Sequence, residues 1–112
     1  MKNRNVFVTN FRNQGGMLEA TDKFRNGGKL IPITEGQINV FNTDSLKTTI
    51  NYIFDNNLFN PKKDFIMIAG NSIIAAIVLK VITSKLIYLG LSDELNLLLY
   101  DSRLQDYEHR VV

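Results

Sequence analysis

The chain has 112 residues, 45% hydrophobic and 21% charged, with 13 Lys+Arg against 11 Asp+Glu, one His and no Cys. A chain of this length buries roughly two-thirds of the surface its unfolded form exposes, which is enough for one core without a staple, so a single domain over residues 1–112 is expected. The absent cysteines exclude thiol nucleophiles, thiolate metal sites and disulfides, and the lone His109 leaves no imidazole pair for a metal cluster or a proton relay.

The net charge of +2 is unevenly spread. Residues 1–30 carry Lys2, Arg4, Arg12, Lys23, Arg25 and Lys29 against Glu19 and Asp22, a net +4, and the remainder sums to −2. Residues 1–28 read as a basic, Gly- and Asn-rich segment with one edge strand at 5–9. Within it, Phe11-Arg12-Asn13-Gln14-Gly15-Gly16 is nearly repeated by Phe24-Arg25-Asn26-Gly27-Gly28. Turn chemistry accounts for the Asn and Gly, which tolerate positive φ. The functional reading makes Arg12 and Arg25 matched basic tips that face one partner, an acidic protein surface or a single-stranded nucleic acid. The opening Met1-Lys2-Asn3-Arg4-Asn5 lacks the apolar stretch of a secretory signal, and a cytoplasmic protein is expected.

Residues 29–34 and 37–42 bracket Glu35-Gly36 with β-branched residues and predict a hairpin, Pro32 placing its first strand at a sheet edge. Leu46, Ile50, Ile53, Phe54 and Leu58 then recur at helical spacing, with Thr43 or Asp44 as cap and Asn60-Pro61 as stop. Residues 65–69 form a short continuous apolar run, the pattern of a central parallel strand covered on both faces. Ser72 caps a further helix through Ile82, apolar nearly all round except for Lys80 and Ser84, with Gly90 as its stop. Gly70, Asn71, Ser72, Lys80 and Lys85 interrupt the stretch 65–91 too often for a bilayer span of about 20 apolar residues, so no membrane contact is expected. Residues 95–100 read as another buried strand, and 101–105 as a turn into a last polar strand with His109 on its solvated edge.

This order specifies an α/β fold: a small Rossmann-like domain with a mixed sheet, a βαβαβ centre over 37–101 and hairpin edges. It has three layers, or two if both helices share a face. In such sheets ligands sit beyond the carboxyl ends of the strands, where helix N-termini expose N–H groups. Residues 42–45, Gly70-Asn71-Ser72 and 100–103 converge there. Gly70 permits close approach, Asn71 and Ser72 hydrogen-bond an oxyanion, and Arg103 adds charge beside Asp101. Ordinary capping accounts for Thr43, Asp44, Ser45 and Ser72 without any ligand. No G-x-G-x-x-G or G-x-x-x-x-G-K-[ST] occurs, Asp44 and Asp101 repel phosphate, and nothing in their spacing demands Mg²⁺; no cofactor and no metal is expected.

The runs 64–72 (DFIMIAGNS), 97–103 (LLLYDSR) and Tyr107-Glu108-His109-Arg110, joined by a long apolar helix, resemble small uncharacterised α/β proteins encoded by bacteriophages, over residues 30–112. The resemblance implies a phage-type accessory protein that binds a host or virion protein, in the host cytoplasm or the virion, and it transfers no catalytic residue. Two function classes follow. The first is a non-catalytic interaction module that meets a protein, or nucleic acid, through Arg12 and Arg25 and the rim formed by Gly70, Asn71, Ser72, Asp101 and Arg103. The second is a small nucleotide- or phosphate-handling enzyme using the crevice at Gly70-Asn71-Ser72. Catalysis wants a nucleophile or general base with a partner, and the lone His and unsupported Ser72 favour the first class. Buried helix content this high for so small a sheet is compatible with a homodimer.

Overall fold

A computed structural model of the chain describes residues 3–12, 16–91 and 94–112. Its elements are β1 (Val6–Val8), α1 (Met17–Arg25), β2 (Leu30–Pro32), α2 (Thr43–Asn56), β3 (Phe65–Met67), α3 (Ser72–Tyr88), β4 (Asn96–Asp101) and β5 (Asp106–Val111). They form one five-stranded sheet in the order β2-β1-β3-β4-β5, in which neighbouring strands run parallel except that β5 is antiparallel to β4. The fold is therefore α/β with a mixed, mostly parallel sheet, as the sequence pattern specifies. The chain steps outward from β1 to β2 and then returns past β1 to β3 and β4, so its winding reverses between β1 and β3. Right-handed crossovers then put α1 on one face and α2 and α3 on the other.

The two apolar clusters follow these faces. Phe7, Ile66 and Leu97 pack with Ile50 and Phe54 of α2 and with Ile74, Val78 and Ile82 of α3. On the opposite face Val6, Val8, Phe65, Met67 and Leu98 meet Met17 and Phe24 of α1. β1 and β3 are buried on both faces, which is why both read as unbroken apolar triplets rather than as alternations. α2 buries the stripe Leu46, Ile50 and Phe54, and the Phe54 ring stacks on Phe7 with centroids 5.3 Å apart. α3 buries six residues, leaves Lys80 and Ser84 in water, and stops before Gly90 at φ 71. Among the described residues no helix is long and apolar enough to cross a membrane.

Several expectations are corrected. The segment at 5–9 is not an edge strand: β1 lies between β2 and β3 with Val6, Phe7 and Val8 fully buried. Residues 37–42 form no strand, so no hairpin surrounds Glu35-Gly36, and β2 pairs parallel with β1. The alternation there arises because Ile38 and Val40 pack onto the core from a turn. That turn closes on itself, the Phe41 amide donating to Asn39 Oδ1 at 3.0 Å and the Asn42 amide to the Asn39 carbonyl at 3.4 Å. Pro32 does sit on an edge strand.

Residues 17–25 are helix, not a loop between two turns; Met17 and Phe24 face the sheet, and the Thr21 hydroxyl donates back to the Leu18 carbonyl at 2.7 Å. Leu58 is 84% exposed at φ 52, because α2 ends at Asn56 and Phe59 takes the inner position, 5.0 Å from the Phe54 ring. The caps lie one residue earlier than expected. Asn42 and Asn71 accept the first helical amides, and Thr43 and Ser72 are the first helical residues.

Candidate functional site

The carboxyl ends of β1, β2 and β3 are tied together by a buried polar network. The Thr9 hydroxyl donates to the Ala69 carbonyl at 2.8 Å and accepts the Ala69 amide at 2.9 Å, clamping β1 to the exit of β3. The Thr34 hydroxyl donates to the Thr9 carbonyl at 2.8 Å, which joins the exit of β2. Asn10 Nδ2 donates to Thr34 Oγ1 at 2.9 Å and to the Gly36 carbonyl at 3.0 Å. Thr9, Asn10 and Thr34 are all buried, and every buried side-chain polar atom among the described residues has a partner, so the network is a rigid floor rather than a reservoir of unused donors.

Above this floor, where the winding reverses, opens a polar crevice of about 360 Å³ lined by Arg12, Gln37, Ile38, Asn39 and Asn71. Arg12 Nε donates to Asn10 Oδ1 at 3.3 Å, which ties the guanidinium to the floor of the crevice. Asn71 is held from the other side by its cap, Oδ1 accepting Ile73 N at 2.8 Å and Ile74 N at 3.3 Å. Gly70 stands between them at φ 75; a Cβ there would lie 2.5 Å from Asn10 Oδ1. Glycine is therefore required both by the conformation and by the contact.

Of the seven residues marked by sequence, Arg12, Gly70, Asn71 and Ser72 share this end of the sheet, Arg12 and Asn71 lining one crevice. Asp101 and Arg103 also lie at the strand ends but in the β4–β5 turn, where they pair with each other: Arg103 Nη2 and Asp101 Oδ2 are 3.0 Å apart. The Arg103 side chain and backbone amide hold the Asp101 carboxyl below its usual value.

Arg25 is at the opposite end of α1. It donates to Thr21 Oγ1 at 2.8 Å and to the Gly28 carbonyl at 3.0 Å, and pairs with Asp22. The two echoed turns thus lie at opposite ends of α1, and the guanidinium of the second is engaged within the chain. The first leaves the carboxyl end of β1 and the second enters the amino end of β2, where Gly28 is pressed so close to Arg4 that a Cβ would meet its carbonyl oxygen at 2.1 Å. Asn13, Gln14 and Gly15 of the first turn lie outside the described residues.

Other charges of the basic segment are also spent internally. Arg4 lies over the Phe65 ring, 4.0 Å from its centroid, and donates to the Lys63 carbonyl, and Lys23 pairs with Asp106. His109 is exposed on β5, its Nε2 2.8 Å from Asn96 Oδ1 and its ring edge-on to Phe65 at 5.0 Å. Its partial burial, reinforced by Arg4 and Arg110, pushes the imidazole pKa down. No group of three or more metal-ligating side chains occurs among the described residues.

A second depression of about 510 Å³ lies on the α1 side of the same rim, lined by Met17, Ala20, Tyr100, Gln105 and Tyr107. Sequence reasoning missed Thr9, Asn10, Thr34, Gln37 and Asn39. The signal for the first two was available, since Thr9-Asn10 follows the unbroken apolar Val6-Phe7-Val8 as Gly70-Asn71 follows 65–69. Comparison with protein-family models, curated proteins and solved structures finds no match for this chain.

Proposed function

We propose that the protein is a non-catalytic binding domain whose strand-end crevice receives an acidic group presented by a partner protein. The observation that carries this reading is the composition of the crevice: one guanidinium tied to Asn10, flanked by the amides of Gln37, Asn39 and Asn71. Guanidinium and amide groups bind a carboxylate through fixed donors, and neither exchanges protons near neutral pH, so this set recognises rather than transforms. A partner carboxylate suits it better than a nucleic-acid strand, because Arg25, Lys23 and Arg4 are held in internal contacts and Arg12 is the one basic side chain among the described residues that line the crevice. The resemblance of the runs 64–72, 97–103 and 107–110 to small phage proteins implies the same class, an accessory protein acting by binding a host or virion protein.

The test is an amide NMR titration with a short poly-glutamate peptide, run beside inorganic phosphate and a single-stranded oligonucleotide. The peptide is expected to move the Arg12, Asn39 and Asn71 resonances, the response fading as salt is raised past about 0.1 M, where the Debye length is about 10 Å. Arg12→Gln should abolish the shifts while leaving the melting temperature within a few degrees, since an exposed substitution usually changes stability by about 0.5 kcal/mol or less. No movement of those amides with millimolar peptide refutes the reading, and movement with the oligonucleotide alone replaces it with nucleic-acid binding.

A further inference from the structure

The two edges of the sheet are protected unequally. β2 is three residues long and carries Pro32, both of which block strand addition. β5 is six residues long, with no Pro, no Gly and no bulge in its register against β4, and among the described residues no strand pairs with its outer side. Leu95 and Val112 exchange both backbone hydrogen bonds, at 2.9 and 3.0 Å. By the alternation of an antiparallel ladder, Arg110, Glu108 and Asp106 also turn their backbone groups toward β4. Tyr107, His109 and Val111 therefore turn theirs outward, where the Tyr107 amide donates to Asp106 Oδ1 at 2.8 Å and the His109 carbonyl accepts Arg110 Nη1 at 2.7 Å, two local side-chain contacts that a pairing strand would replace.

The side chains of this edge are complementary about His109: acidic Glu108 and basic Arg110 lie one residue to either side of it, and apolar-bodied Tyr107 and Val111 lie two residues to either side. We propose that β5 pairs antiparallel with β5 of a second copy of this chain, with His109 on the two-fold axis, making one continuous ten-stranded sheet. In that register His109 opposes its own copy, and Tyr107 opposes Val111, all at hydrogen-bonded positions where the outward N–H and C=O groups meet. Glu108 then opposes Arg110 of the other copy, twice, at the non-hydrogen-bonded positions where cross-strand side chains come closest.

Charge selects this register over its neighbours. A shift of the axis by one residue toward Glu108 sets Glu108 against Glu108 and moves Arg110 opposite Asp106, whose carboxylate Lys23 already pairs, and a shift toward Arg110 sets Arg110 against Arg110; like charges directly opposed destabilise a pair. Within one chain, Arg110 Nη2 already reaches Glu108 Oε2 at 3.4 Å, so the dimer would extend this contact into a ladder of four alternating charges. Pairing would also cover Val111, which is 56% exposed. The interface is isologous, as a closed two-fold dimer requires.

The test is a charge swap read by sedimentation velocity across chain concentration. The parent protein should show a concentration-dependent monomer–dimer equilibrium. Arg110→Glu and Glu108→Arg should each weaken self-association by about tenfold or more, because each turns two attractive oppositions into two repulsive ones. Both variants should melt close to the parent, since exposed ion pairs contribute little. An equimolar mixture of the two single variants should dimerise, as every opposition across the heterodimer is again between opposite charges, and the double variant E108R/R110E should self-associate like the parent. A parent that remains monomeric at millimolar concentration, single variants that dimerise as the parent does, or a mixture that stays monomeric would each overturn the proposal.

Discussion

Gly70 carries two constraints that can be separated by experiment. Its φ of 75 disfavours any side chain, and a Cβ would also strike Asn10, whose amide holds the exits of β1 and β2 together. Gly90 shares the first constraint at φ 71 but has nothing within 4 Å of an added Cβ. Gly90→Ala should therefore lose only the left-handed penalty of about 1 kcal/mol, and Gly70→Ala about 2 kcal/mol or more. At about 4 °C per kcal/mol for a domain of this size, paired thermal melts resolve the difference. Equal drops would show that Asn10 yields to the methyl group and that the floor of the crevice is soft. A larger drop for Gly70→Ala should come with loss of the Arg12 response to an acidic peptide, because Asn10 is the residue that holds Arg12.

At the scale of elements, legibility followed the degree of burial. β3 and α3 were readable because burial on nearly all sides leaves an almost unbroken apolar record, and α2 because one buried stripe repeats at helical spacing. α1 was not readable: it fully buries only Thr21, so its sequence is polar, and the glycines around it read as loop. β1 was seen but misplaced, since three residues cannot reveal whether a strand is central or marginal. The crevice inherited both errors, because Thr9, Asn10 and Arg12 leave β1 while Gln37 and Asn39 lie in the segment misread as a strand.

The placement of β3 has a direct test within one strand exit. Ile66 is fully buried in the cluster under α2 and α3, whereas Ile68, just past the strand, is partly buried. Ile66→Asp puts an unpaired carboxylate in the core and should cost more than about 4 kcal/mol, most of the margin of a domain this size. Ile68→Asp has water within reach and should remain folded with a lowered melting point. Circular-dichroism melts in which Ile66→Asp unfolds near the parent temperature would remove β3 from the centre of the sheet.

At the scale of the whole molecule, the three layers are unequal. The layer of α2 and α3 contributes nine buried residues, while α1 contributes Thr21 alone and covers the opposite face chiefly with half-buried Met17 and Phe24. Apolar burial stabilises by roughly 25 cal/mol per Å², so α1 is the helix held least strongly to the sheet. It should open as a local unit, below the free energy of global unfolding. Native-state hydrogen exchange is expected to give the slowest amides at Phe7 and Ile66, with Phe24 and Arg25 of α1 exchanging much faster. The helix is nonetheless tethered at its far end, where Arg25 grips the Gly28 carbonyl and Thr21, so Arg25→Ala should accelerate α1 amides while leaving Phe7 and Ile66 unchanged. Uniform exchange across α1 and β3 would mean that the three layers open together. Under the unequal arrangement, the turn bearing Arg12 joins the most stable strand to the least stable helix, so an acidic partner that seats on Arg12 should slow exchange in α1 without altering that of β1.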